Sequence, residues 1–258
     1  MAELAEIGFD SFMESPDGIE AYIQEQLFDK SALDKVIEKY SAHTPLTLKT
    51  ELMPRINWNE EWEKNYDPIM VGNQVYVRAS FHAERPDFTH EIIINPKMSF
   101  GTGHHATTHL MLEFLLELDV AGKRVIDIGS GTGILAIMAY KLGATNIDAF
   151  DIDDWCVENG NENFSLNGIQ DIQMDLGTIR EVSPKGPYDL VLANINKNVL
   201  LDEMGEYASL LPSTGVLLIS GFYEQDIQDL MKKAQSFDLK IKYQRIRNNW
   251  ASVALEKA

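Results

Sequence analysis

The strongest chemical signal in the sequence is a glycine-rich turn between two apolar segments. The run Val125–Ile128 is followed by Gly129, Gly131 and Gly133, and the second apolar segment begins at Ile134. Glycines let the backbone turn sharply and approach a ligand closely, which a side chain would prevent. The spacing is G-x-G-x-G, whereas a nicotinamide-binding turn prefers G-x-G-x-x-G beside a pyrophosphate. The turn therefore favours a cofactor that has no pyrophosphate.

An acidic residue, Asp151, ends the next strand-like run, 22 residues after Gly129. An acid at this point can accept hydrogen bonds from the hydroxyl groups of a ribose. The feature fits NAD and S-adenosylmethionine equally. By itself it leaves open both a nicotinamide oxidoreductase and a methyltransferase.

Two further features separate these classes. A second glycine-rich segment, Phe100–Gly103, lies upstream of the first strand of the main sheet and leads into a helix predicted over Thr108–Leu118. A dehydrogenase fold does not need such a segment. Asn194 follows an apolar run and is predicted at the carboxyl end of a strand, where ligands bind in open α/β sheets. Its side chain offers an acceptor and a donor to an incoming amine.

Three histidines, His104, His105 and His109, raise the question of a metal site, because His105 and His109 are spaced four apart on a predicted helix. The sequence contains no H-E-x-x-H motif, and no nearby acid is an obvious third ligand. We interpret these histidines as loop-packing and helix-capping residues and predict no metal. Cys156 is the only cysteine, which excludes an intrachain disulfide and a cysteine-rich zinc site.

The charge of the chain restricts its partners. Forty acidic and 22 basic residues give a formal net charge of −18, and residues 1–66 hold 14 of those acids and 6 of those bases. An acidic surface repels nucleic-acid phosphates and attracts basic partners, although it can also serve solubility alone. We therefore expect a basic protein as partner and no direct contact with nucleic acid.

The N-terminal sequence and the hydropathy pattern indicate the cellular compartment of the protein. The chain begins with acidic residues and lacks the basic start and apolar core of a signal peptide. No apolar run approaches the 18 residues that a membrane span needs. We therefore expect a cytoplasmic protein with no membrane partner, and we expect it to be a monomer.

The elements that must position these residues alternate between strand and helix from Arg124 onward, which predicts an α/β fold with a mainly parallel, doubly wound sheet. A terminal antiparallel hairpin is predicted over Leu239–Ile246 and Ala251–Glu256. Upstream strands are predicted over Gln74–Ser80 and Glu91–Asn95. The remaining segments are the strands Val125–Ile128, Ile147–Asp151, Leu190–Ala193 and Val216–Ile219, and the helices Ile134–Leu142 and Trp155–Leu166.

The N-terminal part predicts a separate small α+β module over residues 1–54. Its order is a helix over residues 2–7, strands Phe9–Met13 and Gly18–Ile23, a helix capped by Ser31, and a strand Leu46–Leu52. This is a ferredoxin-like order that lacks its first strand. A linker helix over 55–66 carries Trp58, Trp62 and Tyr66 on one face, and a catalytic domain follows over 67–258.

The motifs together resemble the bacterial family of methyltransferases of large-subunit ribosomal protein eleven, across nearly the whole chain. They are Phe100–Gly103 with Thr107 and Thr108, then Asp127–Ile137, Asp151–Asp153 and Ala193–Ile195. Where the family usually reads G-T-G-T-H-P-T-T, this chain has His104 for the second threonine and Ala106 for the proline.

The resemblance implies a Rossmann-like class I methyltransferase domain that uses S-adenosylmethionine. It implies that the N-terminal module recognises the ribosomal protein, while the C-terminal domain methylates lysine side chains and α-amino groups. It also implies that Thr108, Gly129, Asp151 and Asn194 contact the cofactor, and we add Gly131 and Phe100 from the two glycine-rich segments. We expect Asn194 to act in catalysis by orienting the amine, and no general base is identified.

Other functions remain open at this level. A methyltransferase acting on another protein or on a small molecule would share the cofactor-binding half. A non-catalytic ribosome-associated protein could keep the fold without turnover, although the presence of Asp151 and Asn194 argues against it. The acidic charge disfavours an RNA methyltransferase, and the glycine spacing disfavours an oxidoreductase.

Overall fold

The computed structural model describes residues 2–15, 18–41, 46–51, 67–95, 97 and 99–258. The chain divides into two compact units, Met1–Glu61 and Trp62–Ala258. The linker helix predicted over 55–66, with Trp58, Trp62 and Tyr66, lies outside the described residues.

The described part of the N-terminal unit contains two helices and a β-hairpin. Helix α1 spans Ala2–Glu6, strands β1 (Ser11–Ser15) and β2 (Gly18–Tyr22) pair antiparallel, and helix α2 spans Lys30–Ser41. A single 3₁₀ turn over Glu25–Leu27 precedes α2. Phe9 and Leu33 are buried, and an ion pair between Glu3 and Lys39 joins α1 to α2.

Two expectations for this unit differ from the structure. The cap of α2 is Asp29 and not Ser31, because the Asp29 carboxylate accepts hydrogen bonds from the backbone N–H groups of Ser31 and Ala32 at 2.8 and 3.2 Å. The segment predicted as strand Leu46–Leu52 forms no strand over 46–51, and Leu52 is not described. Residues 46–51 are all exposed, and none of the described strands pairs with them to stabilise the alternating pattern.

The second unit is built on a seven-stranded sheet in the order β11-β12-β10-β9-β6-β7-β8. Strands β10, β9, β6, β7 and β8 run parallel, and β12 pairs antiparallel with β10 and β11. This confirms the predicted α/β fold and its terminal hairpin. The strands are β6 (Arg124–Ile128), β7 (Asn146–Asp151), β8 (Met174–Leu176), β9 (Leu190–Asn194), β10 (Val216–Tyr223), β11 (Leu239–Arg247) and β12 (Trp250–Lys257).

Helices connect the strands and cover both faces of the sheet. They are α3 (Ala106–Glu117), α4 (Ile134–Lys141), α5 (Asp154–Leu166), α6 (Ile179–Val182), α7 (Lys197–Leu210) and α8 (Ile227–Gln235). Neighbouring strand residues enter opposite layers of core: Val125 packs with side chains from α3, α4 and α5, and Ile126 packs with side chains from α7 and α8. The result is a three-layer arrangement whose ligand edge is formed by the carboxyl ends of the parallel strands.

A separate small sheet also belongs to this unit. Strands β3 (Ile69–Val71), β4 (Val75–Arg78) and β5 (His90–Ile93) form a separate sheet in that order. The sequence pattern predicts β4 and β5 but not β3, β8 or α6, which span only three or four residues and are too short to show a period. Within the described ranges, no helix combines the length and apolar character needed to cross a membrane.

Candidate functional site

The glycine-rich turn connects β6 to α4 with three residues in the left-handed region. Gly129, Gly131 and Gly133 have φ angles of 66°, 54° and 78°. A Cβ atom on Gly131 would lie 2.2 Å from the carbonyl oxygen of Phe100, which is far inside van der Waals contact. Gly131 is therefore needed both for its backbone conformation and for the close packing of the second glycine-rich segment.

That second segment is held against the turn by hydrogen bonds. The backbone N–H of Thr132 donates to the carbonyl of Phe100 at 2.9 Å, and the Thr132 hydroxyl donates to the carbonyl of Gly101 at 2.6 Å. The two glycine-rich segments, about thirty residues apart in the sequence, thus form one loop cluster at the end of β6.

Two asparagines on α5 and a third, Asn167, at its C-cap also support this cluster, and sequence reasoning missed all three. Asn167 binds both backbone polar groups of Ile93, and Asn163 accepts from the N–H of Asn95 at 3.0 Å while donating to the carbonyl of Thr132 at 2.9 Å. Asn159 donates to the carbonyl of Asn95 at 3.1 Å. The i, i+4 spacing of these residues places them on one helix face and could have signalled their shared role.

Asp151 lies at the carboxyl end of β7, beside the turn. It is 7% exposed, and its two carboxylate oxygens accept backbone N–H bonds from Gly131 at 2.8 Å and Asp153 at 3.1 Å. A carboxylate offers about four lone pairs, so each oxygen keeps capacity for another donor. The hydrogen bond from Gly131 places this acid directly beside the glycine-rich turn.

A surface cavity of about 510 Å³ opens next to Asp151. Ile152 and Leu176, which are 66% and 58% exposed, contribute apolar surface to it. Asp153 and Asp154 add carboxylates, and the remaining lining residues are Trp155, Gly177 and Glu181. Such a cavity can accept a ring system together with hydroxyl groups.

Asn194 is the last residue of β9, and Thr108 of α3 lies next to it. The Asn194 amide nitrogen is 3.4 Å from the Thr108 hydroxyl, while its amide oxygen is buried and has no hydrogen-bond partner. The following helix, α7, is capped by Asn196, whose side chain accepts from the N–H groups of Asn198 and Val199. Asn194 is therefore not the cap of that helix. A buried unpaired acceptor costs about 1–3 kcal/mol, which suggests that it serves a ligand.

The three histidines make contacts within the protein, and His104 Nδ1 lies 3.4 Å from the Thr102 hydroxyl. His105 is the N-cap of α3 and accepts a hydrogen bond from the backbone N–H of Thr107, and burial lowers the pKa of its imidazole. His109 Nε2 lies 3.3 Å from Glu113 Oε1. The sequence alone identified no acid near the histidines, and Glu113 is such an acid. Elsewhere, Asp151, Asp153 and Cys156 bring ligand-type atoms within 4.8 Å of one another. Burial raises the pKa of the Cys156 thiol, which disfavours the thiolate that a metal ion would need, so we continue to predict no metal.

Asp127 lies beneath the turn in β6 and is 1% exposed. Burial raises the pKa of its carboxyl group to about 7, the negative charge of Asp151 acts in the same direction, and hydrogen bonds from Ser130 and the Ala136 N–H oppose the shift. The folded state therefore keeps a proton that the unfolded state, with a pKa of about 3.9, has lost.

This difference predicts how stability depends on pH. Between the two pKa values the folded state binds the extra proton, so its stability falls as the pH rises through this window. Replacing Asp127 with Asn removes the titration but keeps an oxygen acceptor. We subtract the free energy of unfolding of the wild type from that of Asp127→Asn. We expect this difference to increase by about 2–3 kcal/mol between pH 5 and pH 8.

Urea denaturation at several pH values measures this difference. Asp119→Asn, at an exposed aspartate after α3, controls for the loss of one negative charge and is expected to follow the wild type at every pH. Parallel curves for Asp127→Asn and the wild type would show that Asp127 does not titrate between pH 5 and pH 8.

Comparisons with known proteins identify the family of this chain. The model of the family described as ribosomal protein L11 methyltransferase (PrmA) matches residues 8–258. The ribosomal protein L11 methyltransferase of Porphyromonas gingivalis is 47% identical over 254 residues, covering 98% of this chain and 88% of that protein. The one from Phocaeicola vulgatus is 43% identical over 250 residues, covering 96% and 89%.

A solved structure gives the same result at the level of the fold. The crystal structure of ribosomal protein L11 methylase from Lactobacillus delbrueckii subsp. bulgaricus is similar with a TM-score of 0.70 and 29% identity. The similarity covers 75% of this chain and 100% of that chain. The Rossmann-like fold, the paired glycine-rich segments and these relatives lead to one conclusion. This chain belongs to the ribosomal protein L11 methyltransferase family.

Proposed function

We propose that this protein transfers methyl groups from S-adenosylmethionine to lysine and/or α-amino nitrogens of ribosomal protein L11. The observation that carries the proposal is the buried, unpaired amide oxygen of Asn194 at the carboxyl edge of the sheet. It lies on the same edge as the Asp151 cavity, in a chain whose relatives are named for this activity.

The residues at this edge fit S-adenosylmethionine. The spare lone pairs of Asp151 suit the ribose hydroxyls, and the exposed apolar surface of Ile152 and Leu176 suits the adenine ring. We assign the remaining contacts to the loop cluster and the end of β9. Beyond Asp151, the cofactor-binding residues in this proposal are Phe100, Thr108, Gly129, Gly131 and Asn194.

The methyl transfer requires no covalent bond between the substrate and the protein. Bound S-adenosylmethionine supplies a methyl group on a positively charged sulfur, so that the amine lone pair forms the C–N bond, the C–S electrons remain on sulfur, and a proton leaves the nitrogen. Asn194 accepts an N–H bond from the amine and orients its lone pair. A lysine with a pKa of about 10.4 must lose a proton first, and burial at the site favours the neutral form.

The N-terminal module supplies recognition of the protein substrate in this proposal. We assign residues 1–54 to the docking module, 55–66 to the linker and 67–258 to the catalytic domain. The support is electrostatic: residues 1–66 hold 14 acids and 6 bases, and this excess of negative charge attracts a basic protein. The same charge disfavours direct nucleic-acid binding. We further propose that the protein works in the cytoplasm as a monomer.

A methylation assay tests the activity and the docking role together. We expect the full chain, incubated with labelled S-adenosylmethionine, to increase the mass of purified L11 by whole methyl groups. Removing residues 1–54 is expected to abolish methylation of L11 while S-adenosylmethionine affinity, measured by calorimetry, stays within a few-fold. Higher salt should weaken L11 binding more than cofactor binding, because surface charges are screened.

Each part can fail separately. An unmodified L11 together with normal cofactor binding by the full chain would overturn the proposed substrate. Normal methylation of L11 by the truncated chain would instead leave the catalytic assignment intact and overturn the docking role. Loss of cofactor binding by the truncated chain would show that residues 1–54 also support the cofactor site.

A further inference from the structure

Thr132 of the glycine-rich turn connects the second glycine-rich segment to helix α5. Its backbone N–H and its hydroxyl donate to the carbonyls of Phe100 and Gly101, at 2.9 and 2.6 Å. Its own carbonyl accepts from the side-chain nitrogen of Asn163 at 2.9 Å. Thr132 is fully buried, so water cannot replace any of these bonds. The orientation of the second glycine-rich segment therefore depends on Thr132, and that of Thr132 depends on α5.

The same helix also holds the chain just before the segment. The N–H of Asn95 donates to the Asn163 side-chain oxygen at 3.0 Å, and the carbonyl of Asn95 accepts from the Asn159 side chain at 3.1 Å. Asn163 thus binds backbone on both sides of the segment, because its carboxamide carries both an acceptor and a donor. Through this one side chain, α5 fixes where the segment starts and where it packs against the turn.

Asn159 and Asn163 are unusual residues for the buried face of a helix, since neither has exposed surface. Asparagine is a weak helix former, and a buried amide costs free energy unless it is hydrogen bonded. The neighbouring Phe164 packs on the same turn, where a Cβ atom on Gly133 would lie 2.7 Å from its Cε1 atom. An apolar side chain can therefore pack at this interface without these costs. We attribute the two asparagines to the backbone groups that they bind.

We propose that Asn163 is a positioning residue for the cofactor, and that it acts through Thr132 to hold the second glycine-rich segment in the conformation that binds S-adenosylmethionine. The proposal rests on the proposed function, which assigns cofactor contacts to Phe100 in this segment and to Gly131 in the turn. A segment already in its binding conformation loses less conformational entropy when the ligand binds, so preorganisation increases affinity. Asn163 is fully buried and contributes without touching the cofactor.

This role affects cofactor binding more than the chemical step. Without Asn163, part of the binding free energy of S-adenosylmethionine is consumed in ordering the segment, so its Kd rises. At a saturating concentration the bound cofactor has ordered the segment, and kcat stays close to that of the wild type. A residue that only stabilises the fold would lower the thermal midpoint and change neither the Kd nor the KM of the cofactor.

Asn163→Ala and Asn161→Ala form a matched pair on α5. The Asn161 side chain also accepts a backbone N–H bond, but from Met174 at the start of β8, at 2.8 Å. We expect Asn163→Ala in the full chain to raise the Kd of S-adenosylmethionine, measured by calorimetry, about 10-fold. Its KM for the cofactor should rise by the same factor, with kcat within about threefold of the wild type. Asn161→Ala should lower the thermal midpoint and keep Kd within about twofold.

Thr132→Val tests the route from Asn163 to the segment. It removes the hydroxyl bond to Gly101, keeps the shape of the side chain, and is expected to raise the Kd of the cofactor about threefold to 10-fold. Because both substitutions break one connection, the double variant with Asn163→Ala should raise Kd by less than the product of the two single effects. Thr132→Val combined with Asn161→Ala should give the product. If Asn163→Ala does not fold, Thr132→Val alone still tests the route.

The outcomes separate this inference from the proposed function. A Kd for Asn163→Ala within about twofold of the wild type would make Asn163 a purely structural residue, and an unchanged Kd for Thr132→Val would overturn the role of the segment's anchor. Fully multiplicative effects in the double variant would exclude the route through Thr132. Failure of the wild type to methylate L11 would overturn the proposed substrate, but the cofactor-binding comparison requires no L11 and would remain valid.

Discussion

Asp151→Ala is expected to weaken S-adenosylmethionine binding by about 2–3 kcal/mol, or about 30- to 150-fold in Kd. The substitution removes the carboxylate that we assign to the ribose hydroxyls, and hydrogen bonds to a charged group are worth about 1.5–3 kcal/mol. It also removes the acceptor for the N–H groups of Gly131 and Asp153, so the turn loses a support as well. Isothermal titration calorimetry measures the change directly.

Asp148→Ala provides a matched control on the same strand. Asp148 lies three residues before Asp151 in β7, where it accepts a hydrogen bond from Tyr188 and pairs with Arg124. We expect its loss to leave cofactor affinity unchanged. An effect of Asp151→Ala below threefold would contradict the assigned ribose contact. Tight binding of NAD to the wild type would overturn the choice of cofactor.

The parts of the site that the sequence predicts are those specified locally. The turn after Ile128 requires left-handed backbone at three glycines, and an acid at the end of the next strand must lie beside it in a parallel sheet. The position of Asn194 follows from the same rule, since carboxyl ends of parallel strands meet at one edge. Local sequence motifs and the hydrophobic periodicity of strands and helices are therefore sufficient for these predictions.

The parts that escape prediction depend on contacts between distant segments. The Asn163 side chain bridges the backbone of Asn95 and Thr132, and the i, i+4 spacing of the asparagines gives no indication of which backbone groups they contact. The His105 ring likewise contacts both Phe100 and Trp250, and Trp250 lies far away in the sequence, at the start of β12. These features require the tertiary fold.

Local patterns also mislead where more than one residue satisfies them. Asp29 and Ser31 are both good N-cap residues, and only the structure shows that the Asp29 carboxylate receives the free N–H groups. The alternation over 46–52 is typical of a strand, yet residues 46–51 are exposed and pair with none of the strands that the structure describes. A strand is stabilised by its neighbours, and the pattern alone does not provide one.

Asn194→Ala is expected to lower kcat about 10- to 100-fold while S-adenosylmethionine affinity stays within a few-fold of the wild type. The substitution removes the buried oxygen that we assign to orienting the amine, and a misplacement of about 1 Å at a reacting centre can cost about 100-fold in rate. An interaction made chiefly in the transition state affects kcat and not ground-state binding. Steady-state kinetics at saturating L11, with a thermal midpoint on the same preparation, measure both properties.

Asn196→Ala is the matched control, two residues away, and its expected result is the reverse. The Asn196 side chain caps α7 by accepting two backbone N–H bonds, and loss of such a cap costs about 1 kcal/mol of stability. This variant should therefore show a lowered midpoint and near-normal kcat per folded molecule. Asn194 and Asn196 are the same residue type and lie two residues apart, but their side-chain oxygens have different contacts. Comparing the two alanine variants therefore distinguishes an effect on catalysis from an effect on stability. A normal kcat with a lowered midpoint in Asn194→Ala would make Asn194 a structural residue and remove the proposed orientation of the amine.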